Sequence, residues 1–195
     1  MTAMKWKLLT RDDYVTTNWS GGTTTQLAIA PEGAVYADRD FLWRLSSATV
    51  ELEHSDFTPL PDYDRLLAVL DGEIKLKIDQ DEPFPLAPGK VVAFDGGVPV
   101  ESWGQCVDFN LMVRKGTGTG FVTELRREGP YEETIQPGAG TRSLAVYCVS
   151  GTVSLPDFGL EAQAGQTLLC LEGQSESFVV KGESGVLMVA CVREA

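Results

Sequence analysis

Residues 89–113, GKVVAFDGGVPVESWGQCVDFNLMV, match residues 165–189, GQTLLCLEGQSESFVVKGESGVLMV, at a constant offset of 76. Gly89 and Gly97 return as Gly165 and Gly173, and Leu111-Met112-Val113 returns as Leu187-Met188-Val189. A second pair, 70–76 (LDGEIKL) against 149–155 (VSGTVSL), is offset by 79. The copies therefore differ by a three-residue indel in the hairpin between these blocks, where an indel is tolerated. A shared glycine interval followed by the same apolar tripeptide reads as an internal duplication.

Around these blocks lie short apolar or alternating runs at 24–30, 41–50, 66–70, 73–78, 90–94, 107–113, 144–149, 167–171 and 185–192, bounded by Gly, Pro and Asp. That is strand patterning. Helical periodicity is confined to one turn at Arg11-Asp12-Asp13-Tyr14 after Thr10, a candidate N-cap. The class is mainly β, each copy being a small antiparallel barrel or sandwich, because closure removes exposed edges. The polar, Gly- and Pro-containing stretch 126–141 reads as a linker. The expected domains are 1–125, with an N-terminal arm, and 142–195.

The 195 residues suffice to bury about 70% of the unfolded surface. Sixteen Lys and Arg against 28 Asp and Glu give a formal charge of -12, which repels nucleic acid. No apolar run has the length of a signal peptide or a membrane span, so a cytoplasmic protein with no membrane partner is expected. Cys106, Cys148, Cys170 and Cys191 are far apart and mostly inside apolar runs, which points to buried thiols rather than disulfides or metal ligands.

Strands and glycines in this duplicated order resemble the cupins, whose pattern places a metal-binding glutamate seven residues before a glycine. Counting back from Gly72 and Gly151 gives Arg65 and Leu144, and the histidine place of the second motif holds Val100 and Glu176. The resemblance thus implies the fold, a bicupin of two tandem cupin-like barrels, but not a metal centre; no cofactor is expected. A closer resemblance covers residues 6–113 through NWSGGTTTQL (18–27), FLWRLSSATVE (41–51), SDFTPLPDYDRLLAVLDGE (55–73), FDGG (94–97) and DFNLMV (108–113). These strings are similar to the HutD/Ves family, bicupins of which some are associated with histidine-utilisation genes. Many members read W-x-N-G-G-G where this chain reads Trp19-Ser20-Gly21-Gly22, so no role for that asparagine carries over.

Candidate ligand-binding residues follow from the strand pattern. Arg44 shares a strand face with Ser46 and Ala48, where it either meets a ligand or pairs with a carboxylate. Arg65 stands where a cupin keeps an inward-facing glutamate, and implies either an anion site or a salt bridge to Asp62, Asp64 or Asp108. Asp108, Asn110 and Met112 share one face of their strand, as pocket lining or as turn caps. The run from Trp19 to Gln26 either forms a backbone concavity for an anion or simply turns into the strand 24–30. Trp43 and Tyr63 either wall the pocket or belong to the core. His54, the lone histidine, lies in a polar segment and reads as exposed; one histidine cannot build a histidine-rich metal site.

The expected function is metal-independent binding or sensing of a small anionic metabolite. The family resemblance makes formylglutamate or formiminoglutamate candidate ligands, and the habit of cupins to pair makes a homodimer the candidate assembly. Two alternatives stand beside it: a metal-free isomerase or hydrolase acting through Arg65, Asp108 and Arg44, and an oligomerising scaffold whose first barrel would hold no void.

Overall fold

The computed structural model describes residues 5–171 and 176–195. The chain divides into two compact units, 14–120 and 1–13 together with 121–195. Its strands are β1 (Trp6–Leu9), β2 (Val15–Trp19), β3 (Gly22–Ala30), β4 (Trp43–Val50), β5 (His54–Asp56), β6 (Tyr63–Gly72), β7 (Ile74–Ile78), β8 (Phe84–Leu86) and β9 (Val91–Asp95). There follow β10 (Val100–Trp103), β11 (Cys106–Arg114), β12 (Gly118–Arg127), β13 (Tyr131–Ile135), β14 (Thr141–Leu155), β15 (Leu160–Gln163), β16 (Thr167–Cys170), β17 (Phe178–Gly182) and β18 (Gly185–Glu194). Helix among the described residues is limited to three-residue 3-10 turns, one of them Arg11–Asp13, where the Asp13 carboxylate accepts from the Thr10 N–H at 2.8 Å. None is long and apolar enough to cross a membrane. All four cysteines are buried free thiols.

In unit 14–120 a six-stranded sheet runs β2-β3-β4-β11-β6-β9 and a four-stranded sheet runs β5-β10-β7-β8. Each order has two ends, so neither sheet closes on itself. The closed barrel expected from the sequence is replaced by two sheets that share one apolar layer. Val50, Leu67, Val69, Phe94 and Cys106 of the larger sheet meet Ile74, Leu76, Leu86 and Val100 of the smaller. Facing sheets bury their apolar sides without ring closure. A second cluster joins Phe41, Leu60, Tyr63 and Met112, with the Phe41 and Tyr63 rings stacked at 4.3 Å.

In the other unit β1, β16, β14, β17 and β13 run in order, with β15 and β18 also on β14 and β12 on β18. Its core gathers Leu144, Val146, Cys148, Val153, Leu155, Leu168, Phe178 and Leu187. β1 pairs Trp6 with Cys170, so the N-terminal arm belongs to this unit rather than to residues 14–120. The stretch 126–141, expected to be a linker, holds the end of β12 and all of β13.

The pairings of the two units repeat. Arg65 lies opposite Phe94 on β9, and Leu144 opposite Cys170 on β16. Ile74 faces Leu86, and Val153 faces Ala162. Gly72 and Gly151 both take positive φ, 81° and 77°, and beside each the ladder skips one residue, Leu70 or Val149. The sequence match fails at one place, however. Leu111, Met112 and Val113 pair with Leu66, Arg65 and Asp64, whose counterparts Ala145, Leu144 and Ser143 pair with Ala190, Cys191 and Val192. The tripeptide at 187–189 therefore sits three residues out of structural register. Gly89 and Gly165 share a positive φ, 91° and 85°, while Gly173 lies outside the described residues.

Candidate functional site

A cavity of about 280 Å³ opens in unit 14–120. Strand alternation builds its walls. Arg44, Ser46, Ala48 and Val50 come from β4, and Asp108, Asn110 and Met112 from β11. Arg65 comes from β6, Ser55 and Asp56 from β5, and Phe57 and Thr58 follow β5; Thr17, Trp19 and Thr24 complete it from β2 and β3, and Tyr36 from the 36–38 turn. Register fixes the centre: Met112 pairs with Arg44 on one side and Arg65 on the other. At the usual strand spacing the two arginine Cα atoms stand about 10 Å apart, and both side chains enter one space.

Both guanidiniums are buried, Arg65 being only 6% exposed. Among the described residues no carboxylate forms an ion pair with either. Arg44 Nε donates to Gln26 Oε1 at 2.8 Å, and its guanidinium lies 4.1 Å from the centre of the Tyr36 ring. Among the described residues Arg65 reaches only the Thr58 carbonyl, at 3.4 Å, its Nε has no partner, and it packs near the rings of Phe57 and Phe94. The salt-bridge reading of Arg65 with Asp62, Asp64 or Asp108 is therefore not what holds it. Burial pushes Arg65 down to about 10, which leaves it cationic near neutrality, and burial also lowers Arg44.

Asp108 accepts from the Ala48 N–H at 3.2 Å. Burial raises its carboxyl to about 7, with that hydrogen bond and the nearby Arg65 and Arg44 pulling the other way. Asn110 Oδ1 and Ser55 Oγ are buried and have no partner among the described residues. Unsatisfied buried polar atoms cost about 1–3 kcal/mol each, so their gathering around one cavity is the mark of a site built for something polar.

Six of the eight residues expected from sequence, Trp19, Arg44, Ser46, Arg65, Asp108 and Asn110, line this cavity. Trp43 and Tyr63 do not. Trp43 alternates away from Arg44 and is buried, and Tyr63 donates to the Phe41 carbonyl at 3.0 Å while accepting from Arg114, which makes both structural. Gly21 and Gly22 are absent from the walls, so the run 19–26 contributes side chains, not a backbone concavity. A Cβ at Gly21 would collide with the ring of Trp19, which lines the cavity. Sequence reasoning missed Tyr36, Phe57 and Thr58, which stand in irregular segments where alternation gives no signal.

A cupin metal does not fit here. The ligand places hold Arg65 and Leu144, Val100 is core, and Glu176 is exposed. One other cluster among the described residues, His54, Asp56 and Glu101, brings its ligand atoms within 4.8 Å, but His54 is exposed and Glu101 already meets His54 at 3.2 Å and Lys77 at 3.7 Å.

A HutD family model matches residues 11–188. The chain belongs to the HutD family. The conserved protein PA5104 of Pseudomonas aeruginosa PAO1 is 26% identical to this HutD chain, with a TM-score of 0.78, covering 97% of this chain and 98% of its own. HutD of Pseudomonas fluorescens SBW25 shares 21% identity and a TM-score of 0.78, covering 98% and 100%. The fold also extends to cupin-like proteins. The pirin YhhW of Escherichia coli, in complex with nickel(II), is 9% identical with a TM-score of 0.69 over 97% of this chain and 99% of its own. No curated protein matches.

Proposed function

We propose that this HutD-family protein binds a small anionic metabolite in the cavity of unit 14–120, without a metal, and that binding serves a sensing role in histidine utilisation. The observation that carries the reading is the pair Arg44 and Arg65: two buried guanidiniums flanking Met112 with no carboxylate partner, one of them with an unused Nε. Burying a charge without a counter-ion costs several kcal/mol, and an incoming carboxylate recovers it through charge-assisted bonds of about 1.5–3 kcal/mol each. The equivalent place in the other unit is Leu144, packed in the core, so the site belongs to one copy. The repeated pairings and the cupin-like neighbours support the further reading that the two units are the halves of a bicupin.

Native mass spectrometry of gently purified protein, followed by titration of the retained compound against Trp19 fluorescence, tests the proposal. A carboxylate bound at one per chain is expected. Protein that retains nothing and shows no thermal shift with formylglutamate, formiminoglutamate or simple carboxylates would sink it. The cavity itself speaks against the scaffold reading, which required a filled interior. Asp108 favours a second reading: a carboxyl near 7 beside two arginines suits general acid–base work, so conversion of the bound compound into product would point to the metal-free isomerase or hydrolase.

A further inference from the structure

The cavity has two chemically different ends, and strand register sets them apart. Arg44, Met112 and Arg65 form one cross-strand row. Two residues along β11 stands Asn110, opposite Ser46, and two further stands Asp108, opposite Ala48. At about 3.4 Å per residue, these rows lie about 7 and 14 Å from the arginine row, and the long arginine side chains shorten the gap. The arginine row presents N–H donors, with Arg65 Nε unused. The far rows replace cations with an amide, a hydroxyl and a carboxyl, and so add acceptors. Among the described residues Asn110 Oδ1 receives no donor, and the Asp108 carboxyl receives only the Ala48 N–H on one oxygen. The sign of charge thus reverses between the arginine row and Asp108.

We infer that the ligand carries a carboxylate at the arginine row and an uncharged N–H or O–H donor at the other end, and that Asp108 excludes a second carboxylate from that end. This deepens the anion-pocket reading and rests on it. The charged groups acting on Asp108 are Arg65 on β6 and Arg44 on β4, with Cys106 on its own strand; Tyr36 of the 36–38 turn stands against the arginines, and the Asp56 carboxylate lies with His54 and Glu101 instead. The two arginines are committed to the first carboxylate. A carboxylate brought beside Asp108 therefore meets like charge in a sheltered place, whereas an amide N–H finds two open acceptors.

Glutarate and its monoamide, glutaramate, have the same length and differ only at one end. Each is titrated by calorimetry into the wild-type protein and Asp108→Asn, at about pH 6 and about pH 8, where glutarate is fully or nearly fully ionised. At the higher pH glutaramate should bind the wild type at least about tenfold tighter, as expected for a buried like-charge penalty. The preference should narrow at the lower pH, as Asp108 takes up its proton, and should fall to about twofold in Asp108→Asn. The Asn substitution keeps an acceptor for the Ala48 N–H; if it nevertheless fails to fold, the wild-type pH series decides alone. Binding of both probes without preference at the higher pH, or a preference indifferent to pH and to Asp108→Asn, overturns the role given to Asp108 and leaves the anion pocket standing. Silence of both probes at millimolar concentration overturns the pocket as well.

Discussion

Arg65 and Leu144 occupy the same position in the two units, each on the strand that pairs with β9 or β16 and each seven residues before a glycine of positive φ. One is a cation without a carboxylate; the other is 1% exposed in an apolar core. The molecule therefore contains its own comparison between a packed and a functional solution at one place in the fold. Arg65→Leu should raise stability by about 1–4 kcal/mol, the usual gain when a buried charge gives way to an apolar side chain. It should also abolish binding of carboxylates. Chemical denaturation and ligand titration check the two halves separately; a loss of stability would mean that Arg65 is held by more than the Thr58 carbonyl.

Asp108 makes stability depend on pH with a definite sign. Its carboxyl is raised to about 7 in the folded protein against about 3.9 in an unfolded chain, so the folded state holds the extra proton between these values. The contribution to stability is full below about pH 4 and is lost as pH rises through about 7, on the order of 4 kcal/mol in all. Asp108→Asn should flatten that slope in melts taken from about pH 5 to about pH 8. An unchanged slope would assign it to other groups.

Arg44→Ala should weaken binding of a carboxylate about tenfold or more, the worth of one sheltered charge-assisted bond. It also strips Gln26 Oε1 of its donor and Tyr36 of its stacked guanidinium, so a stability loss of about 1–2 kcal/mol should accompany it. Affinity unchanged in folded protein would confine Arg44 to the scaffold.

Tyr63→Phe separates scaffold from site. It removes the hydrogen bond to the Phe41 carbonyl and the acceptor for Arg114, at a cost of about 0.5–1.5 kcal/mol, and should leave ligand affinity within about twofold. A large affinity change would return Tyr63 to the pocket.

Gly21→Ala should displace the Trp19 ring, since the added methyl occupies its place. Trp19 is 37% exposed, so the change should be visible as a shift in tryptophan emission and in the rate of ligand binding, with little loss of stability.

Period-two alternation was readable in β4 and β11 because neighbouring side chains there differ sharply, Arg44 and Ser46 against Trp43 and Leu45, Asp108 and Asn110 against Val107 and Phe109. It placed Arg44, Ser46, Asp108 and Asn110 in one cavity, while Arg65 was found through the cupin-glutamate place and Trp19 through the run that follows it. It could not separate Trp43 and Tyr63 from the pocket, because an aromatic ring suits a core as well as a wall, and only the hydrogen bonds of Tyr63 decide. The duplication was legible through Gly72 and Gly151, whose backbone needs positive φ in both copies. The matching tripeptides misled, since Leu, Met and Val satisfy any buried strand regardless of register. Between the two forms expected, barrel or sandwich, the sequence could not choose the open one for a related reason: alternation reports which face is buried and says nothing of whether the last strand finds the first.

β1 is synthesised before residues 14–120, yet its hydrogen-bonding partner, β16, is made more than 150 residues later. During translation residues 14–120 are complete and free to fold while Trp6–Leu9 must wait. Until they dock, the edge of β16 is open and offers unpaired backbone to any passing strand. Long-range pairing of this kind is slow to form, so assembly of this sheet is the step most exposed to aggregation and to exchange of β1 between chains. A chain shortened at its N-terminus would carry that open edge permanently, and its solubility, not its ligand affinity, is where the damage would first be seen.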